Sequence, residues 1–153
     1  MAHRFVTDIK VEGETETQDF SYTVPTTDGE YNGEIALFGS DPLSASEGDI
    51  VYLNTSGTWA VAQANSVNST SMLGVWTGSE VLLRGLVRYS GGVGGKTVPT
   101  SSIGKPMYLS ASTAGEITGT VPGTGNYVRI VGHVISTTND LWYFQPDNTW
   151  VKK

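Results

Sequence analysis

The chain repeats part of itself. Gly48-Asp49-Ile50-Val51-Tyr52-Leu53 returns as Gly104-Lys105-Pro106-Met107-Tyr108-Leu109, 56 residues later. Leu73-Gly74-Val75-Trp76 is answered by Val131-Gly132-His133-Val134 at a spacing of 58, and Glu80-Val81-Leu82-Leu83 by Asp140-Leu141-Trp142-Tyr143 at 60. The order is kept, and the small length differences belong in loops. Self-similarity of this kind means that one supersecondary unit is used more than once. Here the unit is a glycine, a short strand ending Tyr-Leu, a Ser/Thr/Gly turn and a second short strand. A polar loop, an apolar-Gly-apolar strand, another turn and a last strand follow. Two such units, 46–90 and 102–147, are expected to pair about a pseudo-twofold and close one barrel-like core.

Strands are predicted at Asp49–Asn54, Thr58–Ala62, Ser71–Thr77, Val81–Ser90, Pro106–Ala111, Glu116–Thr120, Tyr127–Ser136 and Asp140–Gln145. Each is short, rich in Val, Ile, Leu, Tyr and Trp, and bounded by Gly, Asn, Ser and Thr, the pattern of an all-β sandwich or barrel. Ala60–Val67 and the neighbourhood of Thr100–Gly104 are the helix candidates, and neither has an apolar period beyond a single turn. Gly74 and Gly132 fall inside strands, where glycine weakens a sheet unless a bulge or a close backbone approach demands it. The expected fold is a small β-barrel or sandwich of two similar units, residues 46–153, with an extended N-terminal arm, residues 1–45.

The arm reads differently from the body. Phe5 to Glu12 and Asp19 to Pro25 alternate apolar and polar residues, as one-sided strands do, and Glu12, Glu14 and Glu16 would share one face of an extended segment. Asp28-Gly29 and Asn32-Gly33 are turn signals, and Glu34 to Phe38 is a short apolar strand. Apolar residues are too thinly spread here for a separate core, so the region is expected to be an arm or a loosely attached set of strands.

Charge follows the same division. Residues 1–50 hold eleven of the fifteen acids with only Arg4 and Lys10 as bases, whereas residues 51–153 are basic by three. An acidic front and a basic body can attract each other between copies. The net charge of −6 argues against nucleic acid as a partner, because phosphate binding needs clustered Lys and Arg. No apolar run reaches the length of a membrane span, and the start Met1-Ala2-His3-Arg4-Phe5 does not read as a secretory signal. The expected place is therefore a cytosol or something assembled in one. With no cysteine, disulfides and thiolate metal sites are impossible.

Sequence motifs for chemistry are missing. The two histidines, His3 and His133, are accompanied by no Gly-x-Ser-x-Gly, and no His-x-His or His-x-x-x-His pair exists. Gly91 to Lys96 resembles a phosphate loop only superficially, because no helix is expected to follow it and hold an anion. Glu80, Glu116, Asp140 and Asp147 lie in or beside turns, where acids serve as turn formers, and nothing selects two of them for glycoside cleavage. No enzymatic activity, cofactor or metal is expected. Trp59, Trp76, Trp142 and Trp150 could line a sugar-binding surface, but at strand positions they read as core or interface residues. Trp150, in the tail Asp147 to Lys153, has little local apolar company and is expected to pack on a neighbouring strand or subunit.

Several of these stretches together resemble a module of tailed-phage virion proteins, found in capsid decoration (cement) proteins and at the tips of tail fibres. They are Gly48 to Leu53, Gly57 to Ala62, Met72-Leu73-Gly74-Val75, Val81 to Arg88, Ile103 to Ser110, Tyr127 to Gly132, and Trp142-Tyr143-Phe144-Gln145-Pro146-Asp147-Asn148-Thr149-Trp150-Val151. The first unit is also loosely similar to the lambda head decoration protein. The resemblance spans residues 46–151 and implies a homotrimer without catalytic residues. It further implies that the trimer sits on the outer capsid surface and bridges copies of the major capsid protein. Phe5, Val6, Ile9, Val11, Phe20 and Tyr22 are then the expected capsid contacts, and Trp150 and Trp142 the expected subunit interface. The alternative within the same resemblance is a tail-fibre, knob or adaptor protein that binds a host glycan.

Overall fold

Eleven strands form where β-branched and aromatic runs meet turn residues, and no α-helix occurs among the described residues. The computed structural model describes residues 22–42, 44–89 and 103–153. The strands are β1 (Tyr31–Ile35), β2 (Ile50–Leu53), β3 (Trp59–Val61), β4 (Leu73–Trp76), β5 (Val81–Arg88), β6 (Pro106–Leu109), β7 (Ile117–Thr118), β8 (Tyr127–Val128), β9 (Ile130–Ser136), β10 (Leu141–Phe144) and β11 (Val151–Lys152). Nine of them make one sheet in the order β3-β2-β4-β5-β10-β9-β6-β7, with β1 also on β5. The sheet curls into a half-barrel, so the all-β expectation holds. A two-stranded ribbon pairs β11 with β8.

The order reads as the same pairing plan from either end. In the first half β2 pairs with β3 and β4, and β4 with β5; in the second β6 pairs with β7 and β9, and β9 with β10. Matched residues make matched bonds. Gly48 N donates to Trp76 O at 2.7 Å and Gly104 N to Val134 O at 2.8 Å. Val51 lies opposite Gly74, and Met107 opposite Gly132. The turns agree as well. Asn54 Oδ1 accepts from the amides of Ser56 and Thr58, and Ser110 Oγ from those of Ser112 and Thr113. Short polar side chains that bond the backbone just ahead of them are what such turns require.

The side-chain faces do not follow the pairing plan. Ile50, Leu73, Val75, Leu82, Met107, Leu109, Val131, Val134, Trp142 and Phe144 form the main core. Val51, Trp59, Trp76 and Val81 form a second cluster. Val51 and Met107 are matched by register yet lie in different clusters. Strand residues alternate between faces, so one extra residue reverses which side is buried. Register shifts of that kind occur at Met107/Tyr108 and Leu141/Trp142.

The second cluster is covered by the segment that follows β1. Ala36 and Ala45 pack against it. Trp59 Nε1 donates to Phe38 O at 3.0 Å, and Ser40 bridges to Thr58. Residues 31–42 and 44–45 are thus fixed to the body rather than loosely attached. Their apolar side chains are too few for a core of their own, but they complete one that the sheet begins.

The β1 strand lies earlier than Glu34 to Phe38, and it runs through Asn32-Gly33, which carries no turn. Gly33 lies opposite Gly85 on β5. A Cβ on either would collide with the other strand's backbone, so only a Gly-Gly pair permits this approach. Two further boundaries differ from expectation. Among the described residues the one helical turn is a 3-10 turn at Val67–Thr70, capped by Ser66 Oγ, which accepts from Asn68 N at 3.3 Å; the other expected turn, at Thr100–Gly104, lies mostly outside the described residues. The expected strand Tyr127–Ser136 breaks at Arg129, which is buried.

Candidate functional site

Three tryptophans are core residues and one is not. Trp59 and Trp142 are each 2% exposed and Trp76 is 8% exposed, against 45% for Trp150. The Trp142 ring packs edge-on against Phe144 at 5.7 Å. Trp142 is therefore a core side chain with no surface to offer a neighbouring subunit, because the inward face of β10 closes the main core. Trp150 keeps its accessible ring and stands in an open groove.

The groove has a volume of about 460 Å3 and lies where the start of β4, the middle of β5 and the end of β10 meet. Thr70, Ser71, Met72, Leu73, Leu83, Arg84, Glu34, Arg129, Gln145, Pro146, Asn148 and Trp150 line it. Met72 is 51% exposed, so the groove offers a flexible apolar side chain as well as the indole.

Backbone bonds on both sides fix Trp150. Downstream, Val151 pairs with Val128, and Lys153 N donates to Asn126 O at 2.9 Å. Upstream, Asp147 makes a tight turn, its Oδ1 accepting from Thr149 N and Thr149 Oγ1, both at 2.9 Å. These two bonds hold the Asp147 carboxyl below its ordinary pKa, since they favour the charged form.

Arg129 ties the site together. Its Nε donates to Asp147 O at 2.7 Å, and its Nη1 donates to Ser69 O at 2.9 Å and Ser71 O at 2.6 Å. Its guanidinium carbon lies 5.8 Å from the centre of the Trp150 ring, a cation–π distance. Burial pushes its pKa down, and Asp147 opposes that. One side chain thus clamps the 3-10 turn, the Asp147 turn and the indole. At the other end Arg84 Nε donates to Tyr143 Oη at 2.7 Å, and this bond pushes the Arg84 pKa up.

Of the expected capsid contacts, Phe5, Val6, Ile9, Val11 and Phe20 lie outside the described residues. Tyr22 packs against the Tyr143 ring at 6.2 Å, beside Glu34 and Arg84, and burial raises its pKa. His133 is exposed on β9. Among the described residues no group of three His, Cys, Asp or Glu could hold a metal ion, and no helix is long and apolar enough to cross a membrane. Glu80 Oε2 accepts from Tyr31 Oη on β1 at 2.9 Å and Asp147 Oδ1 from Thr149, so these two acids are engaged with separate partners.

Sequence reasoning singled out Trp150 but missed Arg129, Met72, Arg84 and Gln145 as its neighbours. A signal for Arg129 was present, a charged residue inside the apolar run Tyr127 to Ile135. Asp147-Asn148-Thr149 carried another, an acid two residues ahead of a threonine amide. No family model, curated protein or solved structure matches this chain.

Proposed function

We propose that this chain is a structural virion protein that decorates a phage capsid as a homotrimer and bridges subunits of the major capsid protein. One observation carries the reading. Leu37 and Phe38, adjacent in sequence, are 72% and 47% exposed on a strap held by backbone bonds over the second cluster. Large apolar side chains displayed from a fixed segment suit a protein partner. Among the described residues β1 pairs only with β5, so the strand leading into the strap can add backbone donors and acceptors to such a contact.

Copy number in purified virions tests the proposal. One copy per major capsid subunit is the expected ratio, and absence from virions overturns it. A variant lacking residues 1–20 is expected to keep the melting temperature of the body and to lose attachment to the particle. The open groove at Trp150 favours a second reading, a tail-fibre, knob or adaptor protein, for which the ratio falls to a few copies per hundred capsid subunits.

A further inference from the structure

We infer that the Trp150 groove is a binding site for a neutral oligosaccharide. The inference stands apart from the position of the protein in a virion, since it rests on the groove alone.

A sugar ring presents apolar C–H faces and a rim of hydroxyls that both donate and accept. Its recognition needs a flat apolar platform held in place, surrounded by polar groups of both kinds. Trp150 supplies the platform, with Arg129 over its ring and nearly half of its surface open. The clamp on both sides of Trp150 means that little freedom is lost when a ligand stacks there. Gln145 and Asn148 each carry an acceptor oxygen and a donor nitrogen, and both are exposed in the groove.

The charges decide between ligand classes. Glu34 acts on Arg84, and Asp147, just outside the lining, acts on Arg129, whose donors engage three backbone carbonyls. Each arginine is thus offset by a carboxylate, which leaves no strong surplus with which to select a phosphate, a sulfated chain or a cation. The volume lies within the range of small-molecule sites, at roughly 300–1,000 Å3, and the open shape suits a chain that continues past the groove.

The test is titration of the full chain with four neutral trisaccharides: maltotriose, mannotriose, galactotriose and triacetylchitotriose. Binding is read by calorimetry and by tryptophan emission. Because the other three tryptophans are buried, Trp150 dominates any ligand-dependent change. At least one trisaccharide is expected to bind, Trp150→Ala to weaken it tenfold or more, and Trp150→Phe to retain most of the affinity. Both variants should melt close to the parent, because the ring lies at the surface. Binding by none of the four, or equal binding by Trp150→Ala, overturns the inference. Virion copy number is measured separately, so failure here leaves the decoration reading where it stands.

Discussion

The two halves of the sheet share a pairing plan and differ in what they do with it. The first half buries two faces, one in the main core and one under the strap of residues 36–42 and 44–45. The second half contributes to the main core and leaves His133 and Ile135 exposed. Where the first half has Ser71, the second has Arg129 at the matching spacing of 58, and the two meet through a hydrogen bond to the Ser71 carbonyl. The backbone plan sets which strands pair. The departures from it, a bulge, an inward arginine and a tail beyond the last strand, build the groove.

The sharpest way to break the comparison is at the matched glycines. A Cβ on Gly132 would collide with the Tyr143 carbonyl oxygen, which is backbone and cannot move without its strand. A Cβ on Gly74 would meet first a Val81 methyl, which can rotate. Gly132→Ala should therefore cost about 3 kcal/mol and Gly74→Ala about 1 kcal/mol. Thermal melting checks this, at roughly 2–4 °C per kcal/mol for a chain of this size. Equal shifts would mean that the two halves tolerate crowding alike and that the glycines match only by sequence.

A smaller effect is expected from making the second half like the first. Arg129→Ser removes three hydrogen bonds to carbonyl oxygens and the cation–π contact with Trp150. Water can replace the bonds to the part-buried Ser71 and Asp147 carbonyls but not the one to buried Ser69, so the loss is expected at about 2 kcal/mol rather than the full sum. Released from its clamp, Trp150 should show red-shifted emission, with the three buried tryptophans unchanged. Arg129→Lys should restore neither property, since an ammonium cannot span three carbonyls in one plane. Full rescue by lysine would reduce Arg129 to a point charge.

Much of this plan was legible from sequence because it depends on local chemistry. The strands β2, β4, β5, β6 and β10 lie within the predicted runs, since each run is bounded by turn residues. The repeat signalled which strands hold equivalent places. Faces were harder to read. A one-residue bulge leaves no mark in composition, so the different fates of Val51 and Met107 were hidden. The strap was misjudged because its partners, Trp59 and Val51, lie far along the chain. Trp150 stood out for its lack of apolar neighbours, yet Trp142 was expected with it at a subunit interface. What separates them is the inward face of β10 for one and the Asp147 turn for the other.

The smallest effect expected concerns that turn. Asp147 is held below its ordinary pKa, about 3.9 for a free side chain, by the Thr149 amide and hydroxyl. A carboxyl with a lowered folded pKa stabilises the folded turn at every pH above its unfolded value. The contribution then fades as pH falls through the folded value, beneath the ordinary range. Tryptophan emission followed from pH 7 downward should therefore stay constant to about pH 4 and change only below it. Near-ultraviolet circular dichroism, which reports the buried tryptophans, should hold at the pH where the Trp150 signal first moves. Asp147→Ala should show the low-pH emission already at pH 7. A transition above pH 5 would assign the indole's position to some other titrating group. A simultaneous loss of both signals would mean that the turn and the sheet unfold as one unit, and the second half would then extend its cooperative frame to the groove itself.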